Sequence, residues 1–241
     1  MRYAIPVLVF LLTAHPALAQ NVSIDFGDGT GTLAGRSIGL LALITVLSLA
    51  PGLAIMITCF PFIVTVLSIL RQGIGLQQSP PNMLIITLAL FLTYFVMEPV
   101  FMEAYRNGLD PLIQGTLSLE EALPLTLDPF RGFMLTRIDP DTFEALASLR
   151  PQDAPETLTA QAPLSMLVPS FLLSEIERAF QVGFLIFLPF LIIDLVVAAV
   201  LMSMGMMMVP PAIVSLPFKL AFFAVADGWT LISGALVTSY F

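Results

Sequence analysis

Four long stretches of this chain carry little charge, and they limit its possible folds more than any other feature. They run from about Ser37 to Leu70, from Asn82 to Phe101, from just after Pro169 to Met208, and from Ala212 to Tyr240. A helix needs about 20 apolar residues to cross a hydrocarbon core about 30 Å thick. Hydrophobic residues make up 58% of the chain and charged residues 11%, against about 25% charged in soluble domains. A water-soluble fold has no interior large enough for so much apolar surface, so lipid or a protein partner must cover it. The expected class is an all-α membrane protein of long kinked helical hairpins, with a small amphipathic helical subdomain between the second and third apolar blocks.

The chain divides accordingly. Residues 1–19 read as a signal peptide: Arg2, the apolar run Ala4 to Leu12, then Ala17-Leu18-Ala19 before Gln20. That apolar run is too short to span a bilayer. Cleavage after Ala19 is expected, and an uncleaved anchor is the other reading. Residues 20–36 form a polar N-terminal segment, and 37–101 a first helical hairpin. Pro51-Gly52 and Pro61 leave the first block as either one kinked helix or two half-length pieces that form a hairpin. Residues 102–168 form an acidic subdomain expected outside the lipid; between Glu98 and Glu177 there are thirteen acids against four arginines. Ser118-Leu119-Glu120-Glu121 fits a capping box, and Asp141-Thr142-Phe143-Glu144 fits one less well. Residues 169–241 form a second hairpin. Its third block would extend about 58 Å as one helix, with a kink expected at Pro189 and a turn at Pro210-Pro211.

Asp194, Lys219 and Asp227 interrupt apolar helices. An ionised group at bilayer depth costs about 2.5–3.5 kcal/mol on insertion scales, so each needs a partner or a wet cavity. A helix separates Lys219 from Asp227 by about 12 Å of rise. A strict hairpin about Pro210 offsets Asp194 from Lys219 by about 10 Å. A contact between subunits is thus at least as plausible as one within the chain. The group could serve as an assembly lock, a proton relay or a plain structural ion pair. Glu175, Glu177 and Arg178 make the start of the third block polar. Near its end, Met202, Met204, Met206, Met207 and Met208 crowd around Gly205. Methionine fills irregular gaps without fixing one shape, which suits a deformable seal and equally an ordinary lipid-facing helix end.

Several functions are excluded or unsupported. A net charge of −8 argues against nucleic acid as a partner, since phosphate binding needs surplus Lys and Arg. Cys59 and His15 are each the only residue of their kind, which rules out an internal disulfide and most zinc sites. No H-E-x-x-H, G-x-S-x-G or Gly-rich phosphate loop is present. No cofactor and no enzymatic activity are expected.

Ser174-Glu175-Ile176-Glu177-Arg178-Ala179-Phe180-Gln181-Val182-Gly183-Phe184, Leu188-Pro189-Phe190-Leu191-Ile192-Ile193-Asp194, Met204 to Pro211, Ser215-Leu216-Pro217-Phe218-Lys219-Leu220 and Asp227-Gly228-Trp229 follow one another along the second half of the chain. Together they resemble the C-terminal half of the FliP family of flagellar and type III secretion export gates. Pro129 to Leu135 and the block around Pro61 and Arg71 resemble the family's middle segment and first hairpin. The resemblance implies a bacterial inner-membrane subunit, present as a pentamer and assembled with FliQ-like and FliR-like proteins. Unfolded export substrates would pass through the resulting pore. It maps the family's methionine gasket onto Met206, Met207 and Met208. From the residues themselves, Asp194, Lys219, Asp227, Glu175 and Glu177 are expected to be buried charges for assembly, and Pro189, Gly205, Pro210 and Pro211 hinges. Ile138-Asp139-Pro140-Asp141 departs from the more basic run usual in relatives. The signal peptide and the middle segment favour a flagellar over an injectisome role. The competing reading is a small-solute or proton-coupled transporter using Asp194, Lys219 and Asp227, although the paired repeats typical of transporters are not evident.

Overall fold

A computed structural model describes residues 33–76, 80–150, 158–159, 161–206 and 208–241. The expected signal peptide, residues 20–32 of the polar N-terminal segment, residues 151–157 and 160 of the acidic subdomain, and Met207 lie outside these residues. All secondary structure in the described residues is helical. Internal contacts divide the chain into two units, Met1–Leu49 and Ala50–Phe241. The described part of the first unit belongs to helix α1, Leu33–Met56. Ile38, Leu41 and Ile44 there are exposed, and the Thr45 hydroxyl donates back to the Leu41 carbonyl at 2.7 Å.

The second unit is built on helix α2, Phe60–Ile74. The first block is two helices, α1 and α2, separated at residues 57–59, and Pro51 and Gly52 lie within α1. Pro61 falls in the first turn of α2, where its missing N–H has no helical partner to lose. Phe62, Ile63, Val66, Leu67, Leu70 and Ile74 bury one face, following helical spacing. Helix α3, Asn82–Ala104, packs beside α2 and runs through a single π-helical turn, Tyr105–Leu109, into α4, Asp110–Ile113. The second apolar block thus continues as helix beyond Phe101. At the π turn Gly108 lies against α5, Leu119–Leu135; a Cβ there would sit 2.9 Å from the Ala122 carbonyl oxygen.

The capping box at the start of α5 forms as its spacing predicts. The Glu121 N–H donates to Ser118 Oγ at 3.4 Å, and the Ser118 N–H donates to Glu121 Oε2 at 3.0 Å. The next helix, α6, spans Pro140–Ser148, and its cap is Asp139 rather than Asp141. Pro140 has φ already set for a first helical residue, so the start moves two positions earlier; the Thr142 N–H donates to Asp139 Oδ2 at 3.0 Å. Met134, Ile138, Phe143, Ala162, Met166, Leu167 and Phe171 close a small second core.

Helix α7 is continuous over forty residues, Leu164–Ser203, or about 60 Å. It starts ahead of Pro169 and contains both Pro169 and Pro189. Its contact with α2 is close because of glycine. A Cβ at Gly183 would lie 2.4 Å from Ile69 Cδ1, and one at Gly73 would lie 3.1 Å from the rings of Phe187 and Phe190. The fourth block breaks in two: α8, Pro211–Val225, and α9, Gly228–Thr238, meet at 61°. Asp227 stands at that break with φ +48°, a left-handed conformation that Asp tolerates better than most residues. Asn82–Ile113 and Leu164–Ser203 are each long and apolar enough to cross a membrane, and the bent α8–α9 pair makes a third if it counts as one span.

Candidate functional site

Helices α7 and α8 form the hairpin that carries most of the residues singled out from sequence. Its turn is set by glycine. After Ser203 the chain closes a Schellman motif: the Met206 N–H donates to the Leu201 carbonyl at 2.9 Å and the Gly205 N–H to the Met202 carbonyl at 3.0 Å. Gly205 takes φ +76°, which an L side chain adopts only at a cost. Helix α7 therefore ends at Ser203, well ahead of the two prolines, and α8 begins at Pro211.

That shift brings Asp194 and Lys219 together within one chain. Lys219 Nζ donates to Asp194 Oδ2 at 2.6 Å, replacing the offset expected from an apex at Pro210. The Ser215 hydroxyl, one turn before Lys219, donates to the other carboxylate oxygen, Oδ1, at 2.5 Å. Lys219 Nζ also donates to the Gly73 carbonyl, at 3.0 Å. The Lys219 side chain is 6% exposed and that of Asp194 is 32% exposed. Asp227 takes no part; it is exposed at the α8–α9 break.

A second cluster lies near the start of α7, around Glu175, whose side chain is fully buried. Arg137, in the turn between α5 and α6, donates from Nε to Glu175 Oε1 at 2.9 Å and from Nη1 to the Ser239 carbonyl at 3.0 Å. The Tyr240 hydroxyl donates to Glu175 Oε2. The Arg137 guanidinium also stacks over the Tyr240 ring at 4.1 Å, and that ring stacks on Phe133 at 6.0 Å. Arg178 stands 3.9 Å from the same carboxylate. Glu177 faces outward, and its carboxylate accepts from Gln181 at 3.2 Å.

The hairpin tip is apolar and uncovered. Met206 is 41% exposed and Met208 98%. Below them an open groove of about 570 Å³ runs between α7 and α8, lined by aliphatic residues such as Ile193, Val197 and Val214 together with Phe218, Met204 and Met206. The tip and the charges Asp194 and Lys219 were legible in the sequence. Arg137, Ser215, Ser239 and Tyr240 were not, as members of charge clusters; the one available hint was the isolation of Arg137 beside an acidic segment.

An unbroken helix longer than a bilayer, two long apolar helices and charges satisfied inside the bundle define an all-helical membrane protein. The FliP family model matches residues 43–236, and the chain belongs to the FliP family. It is 51% identical over 225 residues to the flagellar biosynthetic protein FliP of Caulobacter vibrioides, covering 93% of this chain and 84% of that one. The protein of the same name from Rhizobium meliloti is 42% identical, covering 100% and 99%. That from Bacillus subtilis is 47% identical, covering 85% and 92%.

Proposed function

We propose that this chain is a subunit of the export gate of the flagellar type III secretion apparatus. In this reading it assembles with copies of itself and with FliQ-like and FliR-like membrane proteins into an inner-membrane pore for unfolded export substrates. The 102–168 segment stands outside the lipid. The observation that carries the pore reading is the bare methionine tip, Met208 above all, on a hairpin whose charged groups are already satisfied lower down. A pore for unfolded chains of any sequence has to seal between passages without shape-specific packing. Methionines repack around varied cargo through three rotatable bonds and weak, undirected contacts. Several subunits each contributing Met206, Met207 and Met208 would form an apolar constriction that excludes water.

The test is replacement of all three by Ala. The assembly should still form and motility should fall only mildly, while cells become leaky to small ions, read as increased conductance of the reconstituted gate. An assembled triple-Ala gate with unchanged conductance rules out the seal. The transporter reading gains nothing from the geometry, because Asp194 and Lys219 bind each other and Asp227 lies apart from both.

A further inference from the structure

Helix α2 is a short apolar helix that ends inside the protein. Gly73 and Ile74, in its last turn, are buried, with Gly73 against Phe187 and Phe190 of α7 and Gly75 against Leu216 of α8. The last four carbonyls of any helix lack intrahelical donors, and in a buried setting each needs another partner. Gly75 satisfies one of them: at φ +88° its N–H donates to the Gln72 carbonyl. The basic residue in the last turn, Arg71, is turned away and donates to Asn82 Oδ1 at the start of α3. The Gly73 carbonyl is satisfied instead from another helix, by Lys219 Nζ at 3.0 Å.

We propose that Lys219 is the C-terminal cap of α2. Its ammonium closes the Gly73 carbonyl and faces the negative end of the helix dipole, and Asp194 and Ser215 serve to aim it. A cation at a helix C-terminus is favourable, and no apolar or neutral side chain at position 219 supplies both effects. The chain leaves room for this contact. A Cβ on Gly75 would stand 3.9 Å from Lys219 Nζ and 3.6 Å from Leu216 Cδ1, so the backbone of the α2 terminus approaches α8 closely. Lys219 is thus a positioning residue that ties the short helix to the α7–α8 hairpin. This role does not depend on the pore reading and needs no proton to move.

The two ends of α2 allow a clean test in the full chain extracted from membranes in mild detergent. Cys59, the only cysteine, is 0% exposed at the opposite end of the helix, about 22 Å away, so its resistance to a small maleimide reports that the bundle is intact. Amide hydrogen exchange of residues 70–76 reports the capped end. Lys219→Met should raise exchange there by about 10-fold or more while Cys59 stays protected, and Lys219→Arg should restore it to within about threefold of the wild type. Asp194→Asn still presents an acceptor to Nζ and leaves the bond to Gly73 in place, so it too should stay within about threefold. Unchanged exchange in Lys219→Met overturns the proposal. So does an Asp194→Asn protein whose residues 70–76 loosen as far as those of Lys219→Met. If Cys59 also reacts in Lys219→Met, more than a cap has been lost, and the Asp194→Asn comparison alone decides: slow exchange supports the cap and fast exchange rejects it.

Discussion

The two charge clusters on α7 are built in opposite ways. Glu175 is fully buried, and its two hydrogen-bond partners come from 38 and 65 residues away along the chain, with Arg137 reaching on to Ser239, 102 residues distant. The cluster draws the α5–α6 turn and the end of the chain onto one carboxylate. Asp194 is 32% exposed at its side chain, and both of its partners lie on the neighbouring helix of its own hairpin. A carboxylate with no access to water depends wholly on its partners; one with a third of its surface open can be partly rescued by solvent or by another subunit. The first cluster therefore fixes the fold of the single chain, whereas the second leaves part of a charge on an outer surface.

The comparison breaks most visibly at Arg137. Arg137→Ala strands the Glu175 charge and frees the Ser239 carbonyl, and removal of one partner of a buried pair typically costs about 3–5 kcal/mol. Chemical denaturation in detergent should show that loss, and a fall below about 1 kcal/mol would mean that Tyr240 and Arg178 suffice alone. Asp194→Ala leaves the Lys219 ammonium, 6% exposed, without its counter-charge. Nζ nevertheless keeps the Gly73 carbonyl at the negative end of the α2 dipole, so the loss should be smaller, about 1–3 kcal/mol. If Asp194→Ala proves the more damaging of the two, the contrast between a closed and an open cluster is wrong. A double-mutant cycle sharpens the point. The clusters are nineteen residues apart on α7, or about 28 Å along its axis, so the two substitutions should add to within about 0.5 kcal/mol.

The smallest effect is expected at an exposed carboxylate belonging to neither cluster. The Ser118 backbone N–H, and then its hydroxyl, hold the Glu121 carboxyl below its ordinary range. A lowered value means that this contribution is present above the unfolded carboxyl range and is lost as pH falls through the lowered value. Exchange of amides 118–122 should quicken over that acid window in the wild type and show no such step in Glu121→Ala, with the global unfolding midpoint unmoved in both.

The parts of this architecture that sequence reveals are those encoded locally. The apolar blocks, the capping box at Ser118 and Glu121, and the crowding of methionine at the hairpin tip all depend on neighbours within a turn or two. The α1–α2 division was legible as one of two alternatives, because the proline and glycine content marked the place without choosing between a kink and a break. Asp194 and Lys219 were recognisable as charges needing partners, but their pairing was hidden. The prolines drew the expected apex to Pro210, while Gly205 closes α7 five residues earlier. Arg137, Glu175 and Tyr240 meet only because the α5–α6 turn and α9 fold back onto α7, and no short-range pattern records such a meeting. Asp227 was misplaced for a related reason. An apolar run containing one acid looks like an interrupted helix, whereas the acid occupies the corner where one helix ends and the next begins.

Pro189 has a mechanical meaning once both clusters are in view. It lies between Glu175 and Asp194 on α7, and a proline removes one backbone hydrogen bond from the ladder and crowds the carbonyl four residues before it. Loss of that bond lowers a helix's resistance to bending locally. On one side of Pro189, α7 is held by Arg137 and Tyr240; on the other, it is joined to α8 through Asp194, Ser215 and Lys219. The expectation is that a load on the methionine tip bends α7 here before either set of charges opens, with Phe187 and Phe190 on Gly73 setting how far it can go.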